Sequence, residues 1–203
     1  MARPPKNTDS TPLDVRERLL ETSAMLFAER GFNATGVQDI TGAAEVNKAM
    51  LYYYFESKDG LYDLLIARGI AAIAHAIACA EEPDLTLPVR IERLISTYLS
   101  VVVEQPHIAR IIYREALGAG ECARPVVIEH FTQSIGRVAA MLDATKQEGL
   151  VITVDTTLAA YSLFGMANMA ISSHFVTGRA LDIPVLTRHI VAVFLYGITG
   201  ELS

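Results

Sequence analysis

The chain has 203 residues, a formal net charge of −6 and an apolar fraction of 51%, with a mean hydropathy of +0.31. That length suits one sizeable core or a small domain joined to a larger one, and so much apolar sequence calls for burial between subunits or contact with lipid. The acidity excludes a broad positive field for nucleic acid: the first 58 residues hold seven Lys/Arg against eight Asp/Glu, and the remainder ten against fifteen, so DNA binding would rest on a few placed cations.

Cys79 and Cys122 have no companion at metal-ligand spacing and read as free thiols of an intracellular chain. The segment Met1 to Thr11 is polar and lacks the apolar core of a signal peptide. It is expected to form a flexible arm, 1–11, on a cytoplasmic protein. Neither sustained period-two alternation nor a repeat is present, so the fold class is all-α, with about nine helices.

The first helix begins near Thr11, a capping hydroxyl, with Pro12 at its first position and Asp14 in its first turn. Its apolar stripe is Leu19, Leu20, Ser23, Leu26 and Phe27, and Gly31 ends it. A short second helix starts at Thr35, where Thr35 and Gln38 match a capping box; Val37, Ile40, Ala43 and Ala44 would face inward. Glu45 occupies the following turn, and Asn47 caps a third helix from Lys48 to about Phe55. Ser57 caps a long fourth helix reaching about Ala80. After the break Glu81 to Pro88, five more helices are expected at 89–104, 107–118, 124–147, 155–174 and 183–199. The expected domains are a helix-turn-helix at 12–58 and a larger bundle at 59–203.

Two short helices after a longer one make a helix-turn-helix arrangement. At about 100° per residue, Lys48, Ala49, Tyr52 and Tyr53 share one side of the third helix, while Met50, Leu51, Tyr54 and Phe55 share the other. The second side is apolar enough to pack inward. The first suits DNA: lysine can donate to guanine O6/N7, alanine can touch a thymine methyl, and phenols can donate to phosphates. Tyr54 lies at the border. Lys58 adds charge beside a helix N-terminus that also favours phosphate. The run Leu51 to Phe55 taken alone could be a core strand or buried helix, but three adjacent tyrosines cannot all face inward on a helix.

The run from Val15 to Leu65 resembles the TetR/AcrR family of bacterial regulators. The residues that carry the likeness are Phe27-Ala28-Glu29-Arg30-Gly31-Phe32, Thr35, Asp39-Ile40, Ala43-Ala44, Val46-Asn47-Lys48, Leu51 through Lys58, and Leu61. The resemblance implies a homodimeric transcriptional regulator, usually a repressor, that reads a palindromic double-stranded operator and is controlled by a small molecule in the C-terminal domain. It places Thr35, Gly36 and Gln38 of the second helix at the DNA, Lys48 and Ala49 on bases, and Tyr52, Tyr53, Tyr54 and Lys58 on the backbone. Gln38 could instead complete the cap on Thr35. Three positions depart from the pattern: Gly36 and Met50 replace common hydroxyl residues, and Glu45 stands where glycine is usual, at a cost of about 1 kcal/mol if that residue needs positive φ.

Leu158 to Val176 is nearly continuous apolar sequence, and a membrane span is the alternative to burial. Its Tyr161, Ser162, Asn168, Ser172, Ser173 and His174 favour a dimer interface made with the last helix and no membrane. The interface residues expected are Tyr161, Gly165, Met169, Leu186, Ile190 and Phe194. Candidates for contact with an apolar or aromatic effector are Tyr98, His107, Tyr113, Arg114, Phe131, Met141, Met166 and Asn168, which combine apolar bulk with polar tips; ordinary packing is the competing role for each. No cofactor is expected. An enzyme is disfavoured, because no nucleophile–base pair, phosphate loop or carboxylate cluster is evident and His75, His107, His130, His174 and His189 are scattered. A helical ligand-binding module without specific DNA binding remains the alternative.

Overall fold

The computed structural model describes residues 12–116, 124–147 and 155–199. Among the described residues there are nine helices and no strand: α1 Pro12–Arg30, α2 Val37–Ala43, α3 Lys48–Phe55, α4 Lys58–Ala80, α5 Leu87–Glu104, α6 Pro106–Ala116, α7 Pro125–Gln147, α8 Thr156–Thr177 and α9 Ile183–Thr199. The all-α reading and most helix ends follow the turn chemistry of the sequence. Asn47 caps α3 by accepting from the Ala49 amide at 3.0 Å. The Ser57 hydroxyl accepts from Gly60 N–H at 2.9 Å at the start of α4.

The second helix departs from expectation. Thr35 is buried, and its hydroxyl donates backward to the Gly31 carbonyl at 2.8 Å, with the Leu26 carbonyl at 3.4 Å. It therefore ties off the end of α1 and does not cap α2. Gly36 is the N-cap of α2, and its amide donates to Asp39 Oδ2 at 2.7 Å, so Asp39 takes the role assigned to Gln38. The inward face of α2 is Ile40, Thr41 and Ala44, while Ala43 is exposed; the Thr41 hydroxyl is satisfied by the Val37 carbonyl at 3.0 Å.

The chain forms two compact units that divide between Arg68 and Gly69, within α4. The division lies beyond residue 58 because the first turns of α4 are bound into the N-terminal unit. The Tyr62 ring packs on Phe27 and Phe32, with centroids 4.9 and 4.8 Å away. The Arg68 guanidinium pairs with Glu17 at 3.1 Å and holds its carboxyl below the usual carboxylate range. Leu19, Leu20, Phe27, Ile40, Leu51, Leu61 and Leu65 complete this core.

In the second unit α5 packs on α9, α6 and α8, and α7 packs on α8. Its core includes Ile77, Ile91, Leu94, Leu99, Leu142, Leu163, Ile190 and Phe194. By length and composition α4 is apolar enough to cross a membrane, but Leu61, Leu65, Ile66, Ala76 and Ile77 along it are buried by protein.

Glu45 has φ of 53°, the left-handed region that its place between α2 and α3 requires. An L side chain there costs about 1 kcal/mol. Glu45→Gly is expected to raise the free energy of unfolding by about that amount, read from urea denaturation; an unchanged or lower midpoint refutes the strain.

Candidate nucleic-acid interface and ligand cavity

Helix α3 sorts its residues by face. Leu51 and Phe55, four apart, are buried at 0% and 6% exposure, and the Arg16 guanidinium lies 5.5 Å from the Phe55 ring centre. The opposite face turns Lys48, Ala49, Tyr52 and Tyr53 to solvent, with Tyr53 the most open at 77%. Lys48 Nζ stands 5.6 Å from the Tyr52 ring centre, and the Tyr53 and Tyr54 rings meet edge to face at 5.0 Å. Tyr54 is half-buried, at the border between the two sides. Gln38 and Gly36 are exposed on α2. The surface therefore offers one ammonium, an alanine, two open phenols and an amide.

Three of the residues placed at the DNA from sequence are engaged inside the protein. Thr35 is buried and cannot reach a nucleic acid. The Gly36 amide, a potential phosphate donor, is already occupied by its own helix's carboxylate. Lys58 Nζ donates to the carbonyls of Phe32 at 3.0 Å and Thr35 at 3.1 Å, and sits 4.0 Å above the Phe32 ring. Its charge stitches the start of α4 to the α1–α2 turn, because those carbonyls have no helical partner and the ring face attracts a cation.

The second unit holds a partly open cavity of about 250 Å³ built from one face each of five helices. The facing residues are Gly69, Ile70 and Ile73 of α4; Tyr98, Val101 and Val102 of α5; Ala109, Ile112, Tyr113 and Ala116 of α6; Val127, His130, Phe131, Ser134 and Ile135 of α7; and Tyr161, Phe164, Gly165, Asn168 and Ile171 of α8. Tyr98 donates to Asn168 Oδ1 at 2.8 Å, across from α5 to α8, and its ring meets Phe164 edge to face at 5.4 Å. Burial pushes the Tyr98 phenol up to about 12, well beyond what its bond to Asn168 pulls back.

Of the effector contacts expected from sequence, Tyr98, Tyr113, Phe131 and Asn168 line this cavity. His107 and Arg114 do not, because the face of α6 turned inward is 109, 112, 113 and 116, and both lie on the other side. Met166 is likewise off the 161, 164, 165, 168 stripe of α8 and packs against the core. Met141 shares the α7 stripe but lies farther along it, buried in the core. The remaining lining was missed, although the i, i+3, i+4, i+7 spacing on α6, α7 and α8 marks it.

The expected interface also divides. Met169 is 69% exposed, Tyr161 and Gly165 are exposed, and Leu186 is half-buried. Ile190 and Phe194 are each 3% exposed and cannot meet a partner. They form, with Ile198, the i, i+4, i+8 stripe of α9 that packs into its own protomer's core. The outward stripe of α9 is instead Val185, Val193 and Tyr196, and that of α8 is Leu158, Met169 and Val176.

A short helix with an anchored back and a polar front, following two capped helices, defines a helix-turn-helix reading head; with it goes a helical domain holding an apolar cavity. The family described as bacterial regulatory proteins, tetR family, matches residues 19–65. The HTH-type transcriptional repressor DhaR of Mycobacterium sp. (strain GP1) is 33% identical over 90 residues, 44% of this chain and 44% of that protein. The HTH-type transcriptional repressor KstR2 of Rhodococcus jostii (strain RHA1) is 30% identical over 132 residues, 65% of this chain and 62% of its own length. The chain thus spans roughly half of the curated relatives it matches. The crystal structure of AibR in complex with isovaleryl coenzyme A and operator DNA superposes with a TM-score of 0.72 at 22% identity, covering 88% of this chain and 97% of that one, a likeness of fold. The likeness to the tetR family of bacterial regulatory proteins thus lies in the reading head, residues 19–65.

Gly69 is where α4 and α6 touch: a Cβ there would lie 2.4 Å from Ile112 Cγ1 and 3.0 Å from Ile108 Cγ2. Gly69→Ala is expected to lower stability by roughly 1–3 kcal/mol in thermal unfolding, whereas Gly165→Ala, mid-helix with open space around it, should raise it by about 0.5–1 kcal/mol. Equal effects at the two sites would refute the close approach.

Proposed function

We propose that the protein is a transcriptional repressor that binds a palindromic operator as a homodimer and responds to a small molecule held in the α4–α8 cavity. The observation that carries this reading is the two-sided build of α3, with Leu51 and Phe55 buried behind Lys48, Ala49, Tyr52 and Tyr53. A helix of that build lies in a major groove with its first turn toward base edges. Lys48 donates to guanine O6/N7, Ala49 approaches a base, and the Tyr52 and Tyr53 hydroxyls fix register on phosphates. Gln38 of α2 supplies an amide to the same groove. Relatives named as repressors, and a fold neighbour captured with operator DNA and a small-molecule thioester, support the reading. Such a protein works in the cytoplasm.

The exposed apolar stripes of α8 and α9 supply the homodimer contact. Two copies joined there present two α3 helices, and only a spacing near one DNA turn, roughly 34–36 Å, lets both enter successive grooves. The cavity borrows Gly69, Ile70 and Ile73 from α4, the helix whose first turns carry Tyr62 and Arg68 of the reading head. A ligand that favours one placement of α4 shifts the population of DNA-competent dimers by no more than its difference in affinity for the two states.

Lys48→Ala should cost about 1–3 kcal/mol of operator binding and relax the preference at one base position, measured by binding-site selection and fluorescence anisotropy; an unaltered preference overturns the role of Lys48. Met169→Asp combined with Tyr196→Asp should convert the dimer to a monomer in light scattering and weaken operator binding with it, while a surviving dimer overturns the interface.

A further inference from the structure

We infer that the cavity takes a small, uncharged, largely apolar molecule carrying one hydrogen-bond acceptor, such as a ketone, whose oxygen is bound by the Asn168 amide that Tyr98 holds in place. This deepens the effector reading above and rests on it only in treating the cavity as the effector site. Size comes first: about 250 Å³ falls below the ~300–1,000 Å³ that houses drug-sized ligands. Charge comes second. Among the described lining residues there is no Lys, Arg, Asp or Glu, and the titratable base is His130, so an ammonium would lose water without a counter-ion and an anion would have a single imidazole to set against its desolvation, which is unfavourable.

The lining also carries the polar tips of Tyr113, His130, Ser134 and Tyr161, and Tyr98 and Asn168 are the polar pair that two helices join by a hydrogen bond. An amide has one acceptor and two donors. The Tyr98 hydroxyl, a phenol that is protonated at ordinary pH and that burial makes still harder to ionise, donates to Asn168 Oδ1. That bond fixes which way the amide faces and leaves its N–H donors for another partner. The aromatic edge-to-face contact with Phe164 holds the Tyr98 ring in turn. A carbonyl oxygen matches those donors, and the apolar walls, including Ile73, Val101 and Ile112, accept the rest of the molecule.

The test is titration calorimetry on the full-length protein without DNA, using four probes on one hydrocarbon frame: 4-phenyl-2-butanone, butylbenzene, 4-phenylbutanoate and 4-phenylbutylamine. The ketone should bind about 3- to 10-fold more tightly than butylbenzene, the worth of one net hydrogen bond, and at least roughly tenfold more tightly than either charged probe. Asn168→Leu should erase the ketone's advantage over butylbenzene while leaving butylbenzene binding unchanged. Tyr98→Phe should reduce that advantage in part, and serves as the second variant should the first lose its helical circular dichroism. Tighter binding of the carboxylate or the amine, a ketone advantage that survives both substitutions, or no binding by any probe overturns the inference. Ketone binding as expected with operator affinity unaltered supports the ligand class and counts against the regulatory reading alone.

Discussion

Helix α3 has eight residues, too few to hold a helical conformation in water, where isolated helices shorter than about 12–15 residues are marginal. Its existence and its orientation are therefore set by what it buries. Leu51 and Phe55 are the inward pair, one turn apart, and each removes a large apolar side chain from water, worth roughly 1.5–3 kcal/mol. With both seated, the outward residues have no freedom of direction: Lys48, Ala49, Tyr52 and Tyr53 must face solvent. The polar surface follows from the apolar anchor, and the chemistry available to a groove follows from that surface.

The same economy governs the turns around α3, and it explains why several polar residues point the wrong way for contact with DNA. The end of α1 leaves carbonyls without helical partners. Thr35 reaches back to one, and Lys58, 23 residues further along, reaches to two others in the Phe32–Thr35 turn. Asp39 performs the reciprocal task at the start of α2. These side chains are consumed by the backbone, leaving a reading head that is nearly neutral and has a single open cation on α3. Such a surface gains little from long-range attraction, so contact geometry must supply what charge does not.

The parts of the fold written in local chemistry were legible from the sequence. Asn47 and Ser57 set helix starts that the structure keeps, and the wheel of α3 separates its faces correctly because Leu51 and Phe55, one turn apart, point inward. Thr35 was misread because a threonine beside a helix start and a helix end satisfies either, and the choice depends on the position of α1. Ile190 and Phe194 were misread for a related reason: α9 is apolar on two sides, and the sequence alone does not say which side its own core takes. Within the cavity, Tyr98 and Asn168 drew notice as polar tips on apolar helices, but their pairing spans 70 positions and no local pattern encodes it.

Helix α8 shows why the composition was ambiguous at the outset. Ala160, Leu163 and Ala167 enter the core, Phe164, Asn168 and Ile171 face the cavity, and Leu158, Met169 and Val176 face outward. A helix apolar around its whole circumference is the pattern expected of a buried or membrane-spanning segment. Here two of the apolar sectors have neighbours within the second unit, and the outward one, Leu158, Met169 and Val176, is exposed among the described residues. Tyr161 and Gly165 lie where the cavity sector meets that outward one. Part of the high mean hydropathy is thus accounted for: one sector of α8 closes the core, one shapes the cavity, and the third leaves Leu158, Met169 and Val176 exposed.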